Sequence, residues 1–164
     1  MNAQFPKFQK IINHRLKFRF FLFQKLPAAW IAGLRMQQFE ATQAIVTVSY
    51  QWLNQNPFRS MYFAVQSMAA EMSTGMLAFG QIYQRNPSVS MLVVGMEAKF
   101  HKKAIGKTSF ICKEGLQIAT AIEDALYTGE GQTIKCYSVG KNQDGEIVSE
   151  FWFTWSFKAK SKSA

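Results

Sequence analysis

The chain has 164 residues, 48% of them hydrophobic with fifteen Phe and four Trp, and a formal charge of +9. That length suits one domain with a real core, and the aromatic content excludes long disorder outside the tails. The charge is uneven: residues 1–40 hold Lys7, Lys10, Arg15, Lys17, Arg19, Lys25 and Arg35 against Glu40 alone, and Lys158, Lys160 and Lys162 close the chain. Basic ends on a nearly neutral body suit a surface that meets anions. They do not suit a grip on a nucleic-acid duplex, for which no reader motif is present, so no nucleic-acid partner is expected.

In chain order, the opening MNAQFPKFQK has no apolar h-region and no small-residue cleavage site, so no secretory signal is expected. Residues 5–26 read as one basic helix, with Lys7, Lys10, His14 and Lys17 on a stripe and Phe8, Ile11, Ile12, Phe18, Phe21 and Leu22 apolar. Such a helix either packs on the domain with a solvated basic face or meets an anionic membrane surface. Pro27 ends it, and Ala28–Leu34 reads as a short apolar turn. Thr42–Leu53 alternates with period two, placing Ala44, Val46, Val48, Tyr50 and Trp52 on one face of a strand.

A long helix from about Ser60 to Gln84 follows, apolar on nearly all faces and so surrounded by protein. Gln66, Ser67, Glu71, Ser73 and Thr74 interrupt it, which argues against a membrane span. Ser90–Phe100 alternates again, with Leu92, Val94, Met96, Ala98 and Phe100 on one face. HKKAIGK is a basic connection turning at Gly106, then Lys107–Lys113 is a short strand and Leu116–Tyr127 an amphipathic helix. Gln132–Gly140 and Glu146–Lys158 form a hairpin around Asp144-Gly145, and Phe151, Phe153, Trp155 and Phe157 make one aromatic face of the last strand.

Between Arg59 and Arg85 the only ionisable carboxylate is Glu71. A carboxylate among apolar side chains is costly to desolvate, and such groups often carry chemistry. The bland alternative is a structural acid bonded to backbone, to Arg35 or to Arg59. No nucleophile elbow, phosphate loop, dinucleotide fingerprint or H-E-x-x-H is present, and two cysteines with two histidines give no zinc spacing. No metal and no cofactor are called for. Cys112 and Cys136 read as buried thiols of a reducing compartment, hence a cytoplasmic protein, with the basic helix able to hold it peripherally at an inner-membrane surface.

One long helix followed by mostly antiparallel strands implies an α+β fold: a curved antiparallel sheet wrapped around the helix, with the basic N-terminal helix added. With NPFRSMYFAVQSMAAEMSTG (Asn56–Gly75), YQWLNQNPF and FHKKAIGK, this order resembles the hotdog fold of acyl-CoA thioesterases of the phenylacetyl-CoA and 4-hydroxybenzoyl-CoA type, and looks most like an uncharacterised bacterial branch. Members carry an Asn or Gln, a short loop, a His-Gly-Gly-like helix start and an acid nine positions after the His. Here Asn56 stands at the amide position, Tyr62-Phe63-Ala64 replace His-Gly-Gly, and Glu71 holds the acidic position. The match spans about residues 26 to 158, giving a basic helix over 1–26, a hotdog domain over 27–158 and a basic tail over 159–164.

The resemblance implies hydrolysis of an acyl-CoA or acyl-carrier-protein thioester, with Glu71 as general base or nucleophile and the Phe63 N–H as oxyanion donor. Asn56 would orient the carbonyl or the water, while Ser67 and Tyr62 would bond the carboxylate or the substrate. It implies a homodimer or tetramer whose sites combine Asn from one chain with the acid of another, and phosphate contacts from Arg59, Lys102, Lys103 and Lys107. The alternative is an acyl- or lipid-binding module of the same fold, in which Tyr62 and Phe63 block turnover.

Overall fold

A computed structural model describes residues 1–160; Lys162 of the basic tail lies outside them. Five α-helices and six strands run α1 (Phe5–Ile12), α2 (Arg15–Lys25), α3 (Pro27–Ile31), β1 (Arg35–Phe39), β2 (Ala44–Ser49), α4 (Phe63–Ile82), β3 (Val89–Phe100), β4 (Lys107–Cys112), α5 (Gly115–Thr128), β5 (Gln132–Lys141) and β6 (Ile147–Ala159). The strands form one sheet in the order β1-β2-β4-β5-β6-β3, antiparallel throughout. It curves around α4, the α+β architecture expected from the sequence.

Cross-strand neighbours share a face, so the row Phe151, Phe153, Trp155 and Phe157 of β6 points inward as one block, each residue 4% exposed or less. Burying each such ring stabilises the fold by roughly 1.5–3 kcal/mol. Polar ties then fix how α4 sits on the sheet. The Trp155 indole N–H donates to Thr74 Oγ1 at 2.9 Å and the Ser149 hydroxyl to Gln66 Oε1 at 2.9 Å, while the buried hydroxyls of Ser73 and Ser138 meet at 2.8 Å. Apolar packing alone would let a helix slide; these bonds hold Glu71 in one place. The β5–β6 hairpin turns at Gly145, whose φ of +82° is one that side chains disfavour.

Several boundaries differ from the sequence reading. Residues 5–26 are two helices. The chain breaks at Asn13 and His14, where the Asn13 amide donates to the Phe39 carbonyl and His14 is extended, its Nδ1 accepting from the Lys17 N–H. Pro27 begins α3 at a first-turn position, where its missing N–H is harmless, so Ala28–Leu34 is partly helical. Strand β1 shows no alternation in its sequence, RMQQF, because it is a five-residue edge strand with a bulge between Met36 and Gln38. Strand β2 stops at Ser49, and Trp52 and Leu53 stand exposed in a 3-10 turn.

The face proposed for Ser90–Phe100 is also split. A bulge between Val93 and Gly95 adds a residue and shifts the alternation. Met91 and Val93 pair with Phe157 and Trp155 before it, Met96 and Ala98 with Phe153 and Phe151 after it. These lie on the inner side of the sheet, Met91, Val93 and Ala98 partly buried against the core and Met96 half exposed, whereas Leu92 opposite Ser156 faces away. Among the described residues no helix is long and apolar enough to cross a membrane.

Candidate active site

Glu71 lies near the middle of α4, and one turn later comes Gly75. A β-carbon placed at Gly75 would sit 2.8 Å from Glu71 Oε1 and 3.0 Å from Trp155 Cζ2, so the missing side chain leaves the space that both the carboxylate and the indole ring border. A helix-interior Gly costs about 1 kcal/mol relative to Ala, a cost offset here by that space. The partly buried carboxylate borders an apolar pocket of about 270 Å³ lined by Phe21, Lys25 and Leu26 of the N-terminal segment, Met72, Gly75, Met76 and Phe79 of α4, and Met91 of β3.

Burial pushes Glu71 up to about 7 from its ordinary 4.5, with no partner among the described residues to oppose it. The pairing with Arg35 or Arg59 does not form: Arg35 donates to the Leu34 carbonyl, and Arg59 is exposed in a left-handed turn. Nor does Ser67 reach the acid. Its hydroxyl donates to the Phe63 carbonyl at 3.0 Å, the usual local bond of a helical serine. Unpaired and half-ionised near neutrality, Glu71 can both accept a proton from water and return it.

The remaining expected residues gather two turns away, at the start of α4. Asn56 Oδ1 accepts from the N–H groups of Phe58 and Ser60 while its Nδ2 donates to Ser60 Oγ, so this amide chiefly shapes the loop that delivers the helix. Tyr62 is the N-cap residue without a side-chain cap, and the Phe63 and Ala64 N–H groups meet no acceptor among the described residues. Those are the orphan donors of a helix start, free to meet an acceptor. The Phe63 ring is 51% exposed, packed edge-on against Tyr62 and Phe100. Asn56, Tyr62 and Phe63 line a second cleft, of about 510 Å³, with Phe100, Lys102 and Lys103.

Of the four basic residues expected at phosphates, two border this cleft. Lys102 is ion-paired with Glu146, and Lys103 donates to the Phe58 carbonyl. Arg59 and Lys107 are exposed beyond its lining. Phe63 and Glu71 are eight residues apart on one helix, a rise of about 12 Å, and they border different cavities. One chain thus presents the acid and the amide donors on one helix but not at one point. The pocket's far wall is not legible in the sequence, since nothing in Phe21, Lys25 or Leu26 announces which helix they face. Gly75, four residues after Glu71, was the legible signal.

Residues 15–156 match the family described as "Domain of unknown function (DUF4442)". No curated protein matches the chain. Among solved structures, a Pseudomonas aeruginosa protein of unknown function, described as a probable thioesterase, superposes with a TM-score of 0.75 at 18% identity, covering 92% of this chain and 99% of its own. A protein of unknown function from Chlorobaculum tepidum gives 0.74 at 15% identity, with 88% and 94% covered. A thioesterase from Haemophilus influenzae gives 0.63 at 10% identity, with 88% and 90% covered. At these identities the likeness establishes the hotdog fold.

Proposed function

This chain belongs to the DUF4442 family, and we propose that it is an acyl-thioester hydrolase with Glu71 as its working carboxylate. The observation that carries the reading is the unpaired acid with a pKa of about 7 at the edge of an apolar pocket. Similarity in fold to proteins described as thioesterases supports it. In the proposed reaction the ionised Glu71 takes a proton from water as the water oxygen bonds to the thioester carbon. The C–S bond then breaks, and the proton passes from Glu71 to the departing sulfur, leaving a free acid and a thiol. Direct attack by Glu71, with later hydrolysis of the anhydride, needs the same ionised form.

The oxyanion would be met by the Phe63 N–H of a second copy, since the same chain's helix start is about 12 Å from its own acid. A dimer also answers the exposed edge of the sheet. Strand β3 is twelve residues long, borders no further strand among the described residues on its outer side, and carries Leu92, Val94, Met96 and Phe100 at least 50% exposed. Such an edge invites pairing with its twofold mate. The Glu71 pocket then takes the acyl group. About 150 Å³ holds a benzene, so 270 Å³ has room for roughly ten carbon atoms. Lys102 and Lys103 would meet the phosphates of CoA or of a carrier protein's prosthetic arm.

Thiol release from a panel of short, aromatic and medium-chain acyl-CoAs tests this. Wild type should turn over at least one member, and Glu71→Gln should lose about 10²–10⁴-fold. Turnover unchanged in Glu71→Gln moves the chemistry elsewhere, and a panel with no substrate leaves an acyl-binding module.

A further inference from the structure

We infer that the outer face of α2 seats the protein on an anionic lipid surface. Helix α2 carries two apolar stripes. Phe18 and Leu22, 2% and 0% exposed, pack into the core. On the opposite side Leu16, Phe20 and Phe23, spaced i, i+4 and i+7, stand 72%, 60% and 57% exposed. A helix serving one partner keeps one such stripe; the second calls for another partner. Past the end of the helix Ile31 is a further exposed apolar side chain, and Trp30 packs edge-on against Phe23.

The charges around the stripe name the partner. At 100° per residue, Lys17 flanks it on one side and Arg15 and Arg19 on the other, and residues 1–39 contain no acid. Arg19 is folded back over the Trp30 ring and donates to the Trp30 carbonyl at 3.1 Å, whereas Arg15 and Lys17 are exposed. Rings below with these two basic side chains beside them form the pattern of a helix lying in the plane of a headgroup layer, its cations at lipid phosphates. A second copy fits this face poorly. A twofold contact would set Arg15 and Lys17 against themselves with no counter-charge. The inner face of the same helix contributes Phe21 and Lys25 to the wall of the Glu71 pocket, so seating α2 on lipid brings that pocket to the membrane boundary. The inference itself stands without the hydrolase reading.

Flotation of the full chain with vesicles of phosphatidylcholine, alone or mixed with phosphatidylglycerol, tests it. Wild type should float with the mixed vesicles, less so as salt is raised, and weakly with phosphatidylcholine alone. Phe20→Glu with Phe23→Glu should cut mixed-vesicle binding by about tenfold or more. Both positions are exposed, so an unchanged circular-dichroism melt confirms that the variant is folded. No flotation of wild type, or undiminished flotation of the double variant, overturns the inference. So does a wild type that ignores vesicles while the double variant changes the oligomeric state in their absence, which assigns the face to a second copy.

Discussion

At the scale of single residues, Glu71 has a consequence that can be read without any substrate. Its folded-state pKa is raised, from 4.5 to about 7, by burial alone. Below about pH 4 both folded and unfolded chains hold the proton, and Glu71 contributes no difference. Between those values the unfolded chain releases it while the fold retains it, so the fold loses stability as pH rises. By about pH 8 the withheld stability reaches about 3 kcal/mol. Denaturant unfolding should therefore find Glu71→Gln more stable than wild type by up to that amount at about pH 8, and equal to it near pH 4. Equal stability at both would mean the carboxylate is paired or solvated. Gly75 gives a second residue-scale expectation. Gly75→Ala should fold, because Ala favours the helix, but its Cβ would press on the carboxylate and the Trp155 ring. Thiol release should fall by about tenfold or more, and full activity would show that Glu71 has another working position. Sequence made Glu71 conspicuous as a lone carboxylate. It did not show that Arg35 and Arg59 point elsewhere, since that depends on strand β1 and on a left-handed turn at Arg59.

At the scale of elements, periodic and strongly marked pieces were legible: the α4 helix, the β5–β6 hairpin at Asp144-Gly145 and the inward aromatic row of β6. What escaped depends on tertiary partners. The helix break at His14 follows from Asn13 bonding to Phe39, twenty-six residues away in sequence. The bulge in β3 shows only against β6. That strand carries the dimer expectation, because its apolar, unpaired edge needs covering. Leu92→Lys with Met96→Lys changes only exposed positions, so the protomer should stay folded. In sedimentation velocity the wild type should run as a dimer and the double variant as a folded monomer without turnover. An active monomer would contradict the shared site.

At the scale of the whole molecule, the α+β class and the wrapped helix followed from element order, whereas the separation of the site into two cavities did not. Spacing along the chain singled out Asn56, Phe63 and Glu71 as one motif. Only the three-dimensional helix shows that two turns keep the acid from its own donors. If two copies complete each other, inactive variants should rescue one another. Mixing Glu71→Gln with Asn56→Ala and letting subunits exchange should restore about a quarter of wild-type thiol release, because half the dimers hold one intact site of two. No recovery despite proven exchange would place each site within one chain.

The most direct test of Glu71 as the working carboxylate is kcat/KM for thiol release measured against pH, in wild type and in Glu71→Gln. With Glu71 as the base, the wild-type rate climbs through an apparent pKa near 7 to a plateau as Glu71 ionises, and that step is missing from the residual rate of the variant. A wild-type profile governed by a group near 4.5, or the same rising limb in Glu71→Gln, would contradict it.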